Sequence, residues 1–223
     1  MGRAKEIKIK VIPAAVANPF VKKHHYSGKV VPNSNLHFGA FLDGKLHGVM
    51  SFGPSMDKSK LIGLVDGTKW NEFIELNRMA FDNYLPRNSE SHCIGMAMRL
   101  IKKNAPHIKW VVSFADGCSC GDGTIYRASN FVLTKIKRNT TIKVNEKGEK
   151  VADMTFSAHR PQDMQRFRSE FKPLDGFMLR YIYFIDKSCR NLLTVPEIPF
   201  SKIDEMGAGM YKGEKITQAE RHC

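Results

Sequence analysis

The stretch from Trp70 to Phe131 constrains the fold more than any other part of the chain. Two apolar runs, Phe73-Ile-Glu-Leu-Asn-Arg-Met-Ala-Phe81 and Trp110-Val-Val-Ser-Phe-Ala115, are each followed by small polar residues that open a helical pattern, at residues 88–101 and 123–131. Ile94, Ala97, Met98 and Ile101 recur at helical spacing and give the first helix a buried face. The spacing therefore predicts a strand-helix-strand-helix unit. A helix N-terminus presents unsatisfied N–H groups and a positive dipole end, so the start Asn88-Ser-Glu-Ser91 can hold a phosphate-bearing cofactor. An acyl-transfer enzyme is the first idea this suggests.

Around that unit the chain reads as further strands and helices. Residues 8–13 read as a strand and residues 14–23 as a short helix running into His24-His-Tyr-Ser-Gly28. The runs 36–42 and 46–52 are joined by Asp43-Gly44, a strong hairpin signal. Residues 53–69 read as a loop that could cover a site or meet a partner. Basic residues alternate with Leu, Ile and Thr over 132–143, the pattern of a strand with one solvated face, and 177–184 read as a late buried strand. Residues 146–172 are polar and carry Arg160, Arg166, Arg168 and Lys172, either as a solvated loop and helix or as phosphate contacts. With 223 residues, 42% of them hydrophobic, the chain can bury a full core. The expected class is mixed α/β (α+β), with one domain over residues 1–190 and an extension over 191–223 that wraps the surface or frays.

Charge is the second constraint. Thirty-five Lys and Arg face 22 Asp and Glu, a net charge of +13, which draws polyanions and makes nucleic acid the leading macromolecular partner over a merely basic soluble protein. The apolar runs are strand-sized and the N-terminus is charged, so a soluble intracellular protein without a membrane span is expected. Five cysteines without C-x-x-C spacing point to reduced thiols; Cys118-Ser-Cys120, in a Gly-rich turn, reads as a loop filler, with metal binding or nucleophilic attack as alternatives.

The order of elements, with Gly123-x-x-Tyr126-x-x-x-Asn130-Phe131 on the last helix, resembles the Gcn5-related N-acetyltransferase fold, a mixed, mainly antiparallel sheet flanked by helices. Its usual pyrophosphate signature survives only in the degenerate form Arg87, Ser89, Ser91, Gly95 and Ala97. A closer set explains the departure. His25-Tyr-Ser, Leu36-His-Phe-Gly-Ala-Phe, Gly48-Val-Met-Ser-Phe-Gly-Pro, Glu75-Leu-Asn-Arg-Met, Asn88-Ser-Glu-Ser, Ser113-Phe-Ala-Asp-Gly and Ile125-Tyr-Arg-Ala-Ser-Asn-Phe, seven motifs in order, resemble the Mom family of Mu-like phages over about residues 15–135.

That resemblance implies conversion of adenine in DNA to N6-(carbamoylmethyl)adenine, masking phage DNA from host restriction in the bacterial cytoplasm. It also implies an acetyl-CoA-type donor and an iron ion, and leaves room for a homodimer. Matched position by position, it singles out His25, Tyr26, Asp116 and Tyr126 for catalysis and Arg78, Ser89 and Ser91 for the donor. His25, Tyr26 and Asp116 would form an iron site, since imidazole plus oxygen ligands suit iron. Each residue has a plainer reading: Asp116 in an Asp-Gly turn, Tyr126 as a partly buried helix residue, Ser91 as a helix cap and Arg78 as an exposed strand-end cation. Double-stranded DNA would be held by Lys135, Lys137, Arg138, Lys143, Arg160, Arg166 and Arg168, with the target base extruded toward residues 24–26. Two rivals remain: an acetyl-CoA-dependent N-acyltransferase acting on a protein or small-molecule amine, and a non-catalytic basic DNA-binding module.

Overall fold

The computed structural model describes residues 3–152, 161–217 and 219–222, with the backbone alone at 161–164, 166 and 222. Arg160 lies outside the described residues, as does the side chain of Arg166. Contacts divide the chain into two compact units. Unit 1 comprises Met1–Phe114, Thr124–Thr134 and Arg180–Ile198, and unit 2 comprises Ala115–Gly123, Lys135–Leu179 and Pro199–Cys223.

Unit 1 holds a mixed, mainly antiparallel sheet, as expected. Its strands are β1 (Lys8–Val11), β2 (Leu36–Leu42), β3 (Lys45–Gly53), β4 (Phe73–Phe81), β5 (Trp110–Gly117), β6 (Val132–Arg138) and β10 (Phe177–Phe184). They run in the order β1-β2-β3-β4-β5-β10-β6, the last three joining unit 1 through residues 110–114, 180–184 and 132–134. Asp43 and Gly44 turn the β2–β3 hairpin with φ of 51° and 76°, the left-handed pair that a tight two-residue turn requires. Helix α1 (Ala14–His24) lies across β2, β3 and β4, and its Ala17 and Val21 pack with Ile12, Val49 and Ala80. A second cluster joins Phe73, Trp110, Val112, Ile182 and Phe184. There the Phe73 and Trp110 rings stack at 4.2 Å, and Trp110 Nε1 donates to Thr68 Oγ1 at 3.1 Å.

Three expectations shift. The loop over 53–69 contains helix α2 (Lys58–Leu61) and a 3-10 turn (Ile62–Leu64), because Leu61, Leu64 and Val65 bury into the second cluster. After helix α3 (Ser89–Asn104), the second helix shortens to α4 (Thr124–Ala128). It ends where Asn130 turns left-handed at φ 62° and the Phe131 N–H reaches back to Tyr126 O. The long strand expected over 132–143 breaks into β6 and β7 (Ile142–Val144). Asn139 is the cause: its Oδ1 accepts from the N–H groups of Thr141 and Ile142, and its Nδ2 donates to Ile142 O and Leu174 O.

Unit 2 holds a small sheet of β7, β8 (Lys150–Ala152) and β9 (Lys172–Pro173) in the order β8-β7-β9, with α5 (Pro161–Glu170) and α6 (Ser201–Glu205). Residues 191–198 are fixed on unit 1 by a Val65–Leu193 bridge and by Ile198 N–H donating to Leu133 O. Farther on, Ile203, Ala208 and Met210 are buried, and Arg221 pairs with the buried Asp122. Among the described residues no helix is long and apolar enough to cross a membrane.

Gly53 closes β3 where a Cβ would sit 2.4 Å from Asn33 O, a backbone atom that cannot step aside. Gly53→Ala is expected to destabilise by about 1–3 kcal/mol in denaturant titrations, the usual cost of overpacking. Gly63→Ala, with nothing within 4 Å of its new methyl, serves as the near-neutral control.

Candidate active site

Strands β4 and β5 pair in parallel only over Phe73–Glu75 against Trp110–Val112, although both continue well past that point. β4 also bulges: Ser51 of β3 faces Arg78 and Phe52 faces Leu76, so Asn77 is left without a ladder partner. Bulges of this kind re-aim side chains. Where the ladder stops, Ser113 Oγ donates to Leu76 O at 3.0 Å, and the Tyr126 hydroxyl lies 2.8 Å from the same Oγ. A carbonyl can only accept, so the single Ser113 proton goes to Leu76 O and Tyr126 is the donor to Ser113.

The bulge organises two loops. Arg78 Nε donates to Lys29 O at 2.9 Å and its Nη1 to Asn77 O at 2.8 Å, while Nη2 makes no hydrogen bond within the described residues. Asn77 Oδ1 accepts from Ser34 Oγ at 3.0 Å, and Asn33 Nδ2 donates to Pro54 O at 2.6 Å. Gly53 of β3 pairs with Glu75 of β4, and Ser55 and Asn77 act on the Glu75 carboxyl to oppose the rise of its pKa. The segments around residues 27–35 and 53–57 are thereby tied to each other and to Glu75, Asn77 and Arg78.

The charged groups around the bulge act on one another. Burial lowers the pKa of Arg78, and the charges of Tyr26, Glu75 and Tyr126 act in the opposite sense. Burial raises the pKa of Glu75, helped weakly by Asp57 and opposed by Ser55, Asn77 and Arg78. His25, the residue that ends α1, is pushed down to about 4 by burial and then by Arg78. Its Nδ1 accepts the Ser27 N–H at 3.2 Å and lies 2.8 Å from Ser27 Oγ, so the neutral ring carries its proton on Nε2. Tyr26, 53% exposed, stands against His25 with ring centroids 4.4 Å apart.

Of the residues singled out in the sequence, His25, Tyr26, Arg78 and Tyr126 thus come together in unit 1. Arg78 is half-buried within β4, not exposed at its end. Ser89 and Ser91 do not cap α3: they donate to Pro86 O and Asn88 O, and the helix starts from a left-handed Asn88 without a side-chain cap. Asp116 belongs to unit 2, where its carboxylate accepts the Cys118 N–H at 2.9 Å and its carbonyl takes the N–H groups of Cys120 and Gly121. His25 Nδ1 and Asp116 Oδ1 each serve an adjacent backbone N–H, and among the described residues no three His, Cys, Asp or Glu side chains form a group that could hold a metal. Burial also pushes the Cys118 thiol up to about 12, which makes it a poor nucleophile. Lys135, Lys137, Arg138 and Arg168 are exposed in unit 2 and Lys143 is partly so. The sequence reading missed Glu75, Asn77 and Ser113. The signal for Glu75 was available: an acid inside an apolar strand, within a motif read only for its arginine.

A buried acid with a raised pKa stabilises the fold at low pH and loses that contribution as pH rises from the ordinary carboxylate range through the raised value. Glu75→Gln should therefore leave the melting temperature at pH 4 nearly unchanged and raise it at pH 8, as read by scanning calorimetry at both pH values.

The sequence model of the Mom protein family matches residues 6–202. The chain is 32% identical over 195 residues to the methylcarbamoylase Mom of Escherichia phage Mu, covering 85% of this chain and 80% of that protein. Among solved structures, a Bacillus subtilis acetyltransferase in complex with CoA aligns at 11% identity and a TM-score of 0.47, covering 80% of this chain and 98% of that one. A Drosophila melanogaster polyamine N-acetyltransferase aligns at 10% identity and a TM-score of 0.47, covering 80% and 99%. On the family match and the identity to the phage Mu protein, this chain belongs to the Mom protein family.

Proposed function

We propose that this chain is a transferase that converts adenine in DNA to N6-(carbamoylmethyl)adenine, acts in the cytoplasm of a bacterial host and masks phage- or prophage-borne DNA from restriction. The observation that carries this reading is the cluster of His25, Tyr26, Glu75, Arg78 and Tyr126 at the parting of two strands, inside the stretch that matches the Mom family.

The chemistry asks three things of such a cluster. Adenine N6 is a weak nucleophile whose lone pair is delocalised into the ring, and a stacked base is out of reach, so the base has to be extruded. Tyr26 presents an exposed ring beside Arg78 on which an extruded purine can stack. Arg78 is fixed by two backbone carbonyls with Nη2 left over, an arrangement that orients a carbonyl or phosphate oxygen. Tyr126 donates to Ser113, which donates to Leu76 O, so the Tyr126 hydroxyl is held in a fixed orientation, and neutral His25 offers an N–H.

The donor in this reading is an acyl-CoA, which supplies an activated acyl carbon when bound. The first turn of α3, with no side-chain cap at Asn88, fits its phosphates, and Ser89 and Ser91 shape the preceding turn by bonding its carbonyls. Asp116 enters as a carboxylate at the C-terminal end of β5. Exposed Lys135, Lys137, Arg138 and Arg168, with Lys143, Arg160 and Arg166, offer phosphate contacts.

Mass spectrometry of nucleosides from DNA of cells expressing the chain is expected to reveal a heavier deoxyadenosine; unmodified deoxyadenosine alone would sink the reading and favour an acyltransferase for other amines. Arg78→Lys should cut the modified fraction by roughly a hundredfold, because an ammonium cannot keep both carbonyl bonds and still present a fixed third donor. Asp116→Asn keeps an acceptor for the Cys118 N–H and removes only the charge, so loss of modification with an unchanged melting temperature assigns the charge to the reaction.

A further inference from the structure

The net charge is unevenly divided. Unit 1 carries 21 Lys and Arg against 10 Asp and Glu, whereas unit 2 carries 14 against 12, so 11 of the 13 excess positive charges belong to the unit that holds the His25–Arg78–Tyr126 cluster. Within unit 1, several of these cations stand on the two segments that the β4 bulge ties down. Lys22 and Lys23 are exposed on the last turn of α1, which His24 ends just before His25, and Lys29 is exposed, its carbonyl accepting Arg78 Nε at 2.9 Å. On the other segment, Gly53 pairs with Glu75 of β4 and, five residues on, the Lys58 ammonium sits 4.9 Å from the centre of the Trp70 ring. Trp70 is 54% exposed, matching Tyr26 on the first segment. Each flank therefore sets cations beside a half-exposed aromatic ring, the pairing that holds a nucleic-acid backbone while a base stacks.

We infer that duplex DNA seats on this rim of unit 1, with Lys22, Lys23 and Lys29 on the phosphates of one flank and Lys58 with Trp70 forming the other, so that the target base leaves the helix beside Tyr26. The inference rests on the DNA-modifying reading and deepens it: the main phosphate contacts belong to the unit that carries the site, ahead of the lysines and arginines of unit 2. The lysines of the first flank are exposed, so their removal spares the core.

The test compares two variants of equal charge. Lys22, Lys23 and Lys29→Ala alters the rim. Lys5, Lys8 and Lys10→Ala removes three cations at the β1 end of the sheet, three strands from β4. Affinity for an adenine-containing duplex is measured by fluorescence anisotropy as a function of salt. Each lost phosphate contact lowers the slope of log affinity against log salt by about 0.9, so the rim variant should lose about 2.7 while the β1 variant stays near the unaltered chain. An unchanged slope in the rim variant, or equal losses in both, overturns the inference. Failure of the DNA reading itself looks different: the unaltered chain would bind no duplex at low salt and leave deoxyadenosine unmodified.

Discussion

The parting of β4 from β5 after Glu75 and Val112 is the constraint on which the site depends. A parallel ladder that stops within a sheet leaves N–H and C=O groups without strand partners, and such groups are costly to bury unpaired. Here side chains take the place of a ladder partner. Ser113 supplies the donor for Leu76 O, and Asn77, displaced from the β3 register by the bulge, accepts the Ser34 hydroxyl at its amide oxygen. The sheet thus opens at a place where its own backbone satisfaction requires polar side chains. Those side chains gather the loops that carry His25, Tyr26 and Ser55.

Arg78 concentrates the electrostatics of that opening. A half-buried guanidinium lowers the pKa of His25, opposes the effect of burial on Glu75, and is itself sustained by Glu75, Tyr26 and Tyr126. Burial acts against the charged forms of His25, Glu75 and Arg78. Groups arranged in this way are worth more to chemistry than to stability, which is why a functional cluster is where a fold departs from an apolar interior. The stacked Phe73–Trp110 pair at the closed end of the same two strands supplies the rigid base from which they diverge.

Unit 2 spends its buried polar groups on holding itself together. Asp116 gathers the N–H groups of its own turn, Asp122 accepts from Met210 N–H and pairs with Arg221, and Asn139 joins the 139–142 turn to Leu174. Its basic side chains stand mostly at the surface and are nearly balanced by its acids. The excess positive charge of the chain belongs chiefly to unit 1, although most of the conspicuous alternating basic run over 132–143 lies in unit 2.

Most strands and the two long helices were legible in the sequence because periodicity and turn chemistry are local. The Asp43-Gly44 hairpin, the apolar stripe of Ile94, Ala97, Met98 and Ile101, and the boundaries of β4 and β10 follow from neighbours along the chain. The motifs likewise marked His25, Tyr26, Arg78 and Tyr126. The break at Asn139 was not legible, since an Asx turn there competes with a strand pattern and wins only through its second bond to Leu174. Nor was the burial of residues 61–65, which needs the apolar cluster beneath it. What the sequence by itself determined is which elements form and which chemical groups are available. Only the tertiary structure decided that Glu75, Asn77 and Ser113 join the cluster, that Ser91 leaves its helix uncapped and that His25 is neutral. Those outcomes depend on where two strands stop pairing and how deeply each group is buried, quantities set by residues far apart in the chain.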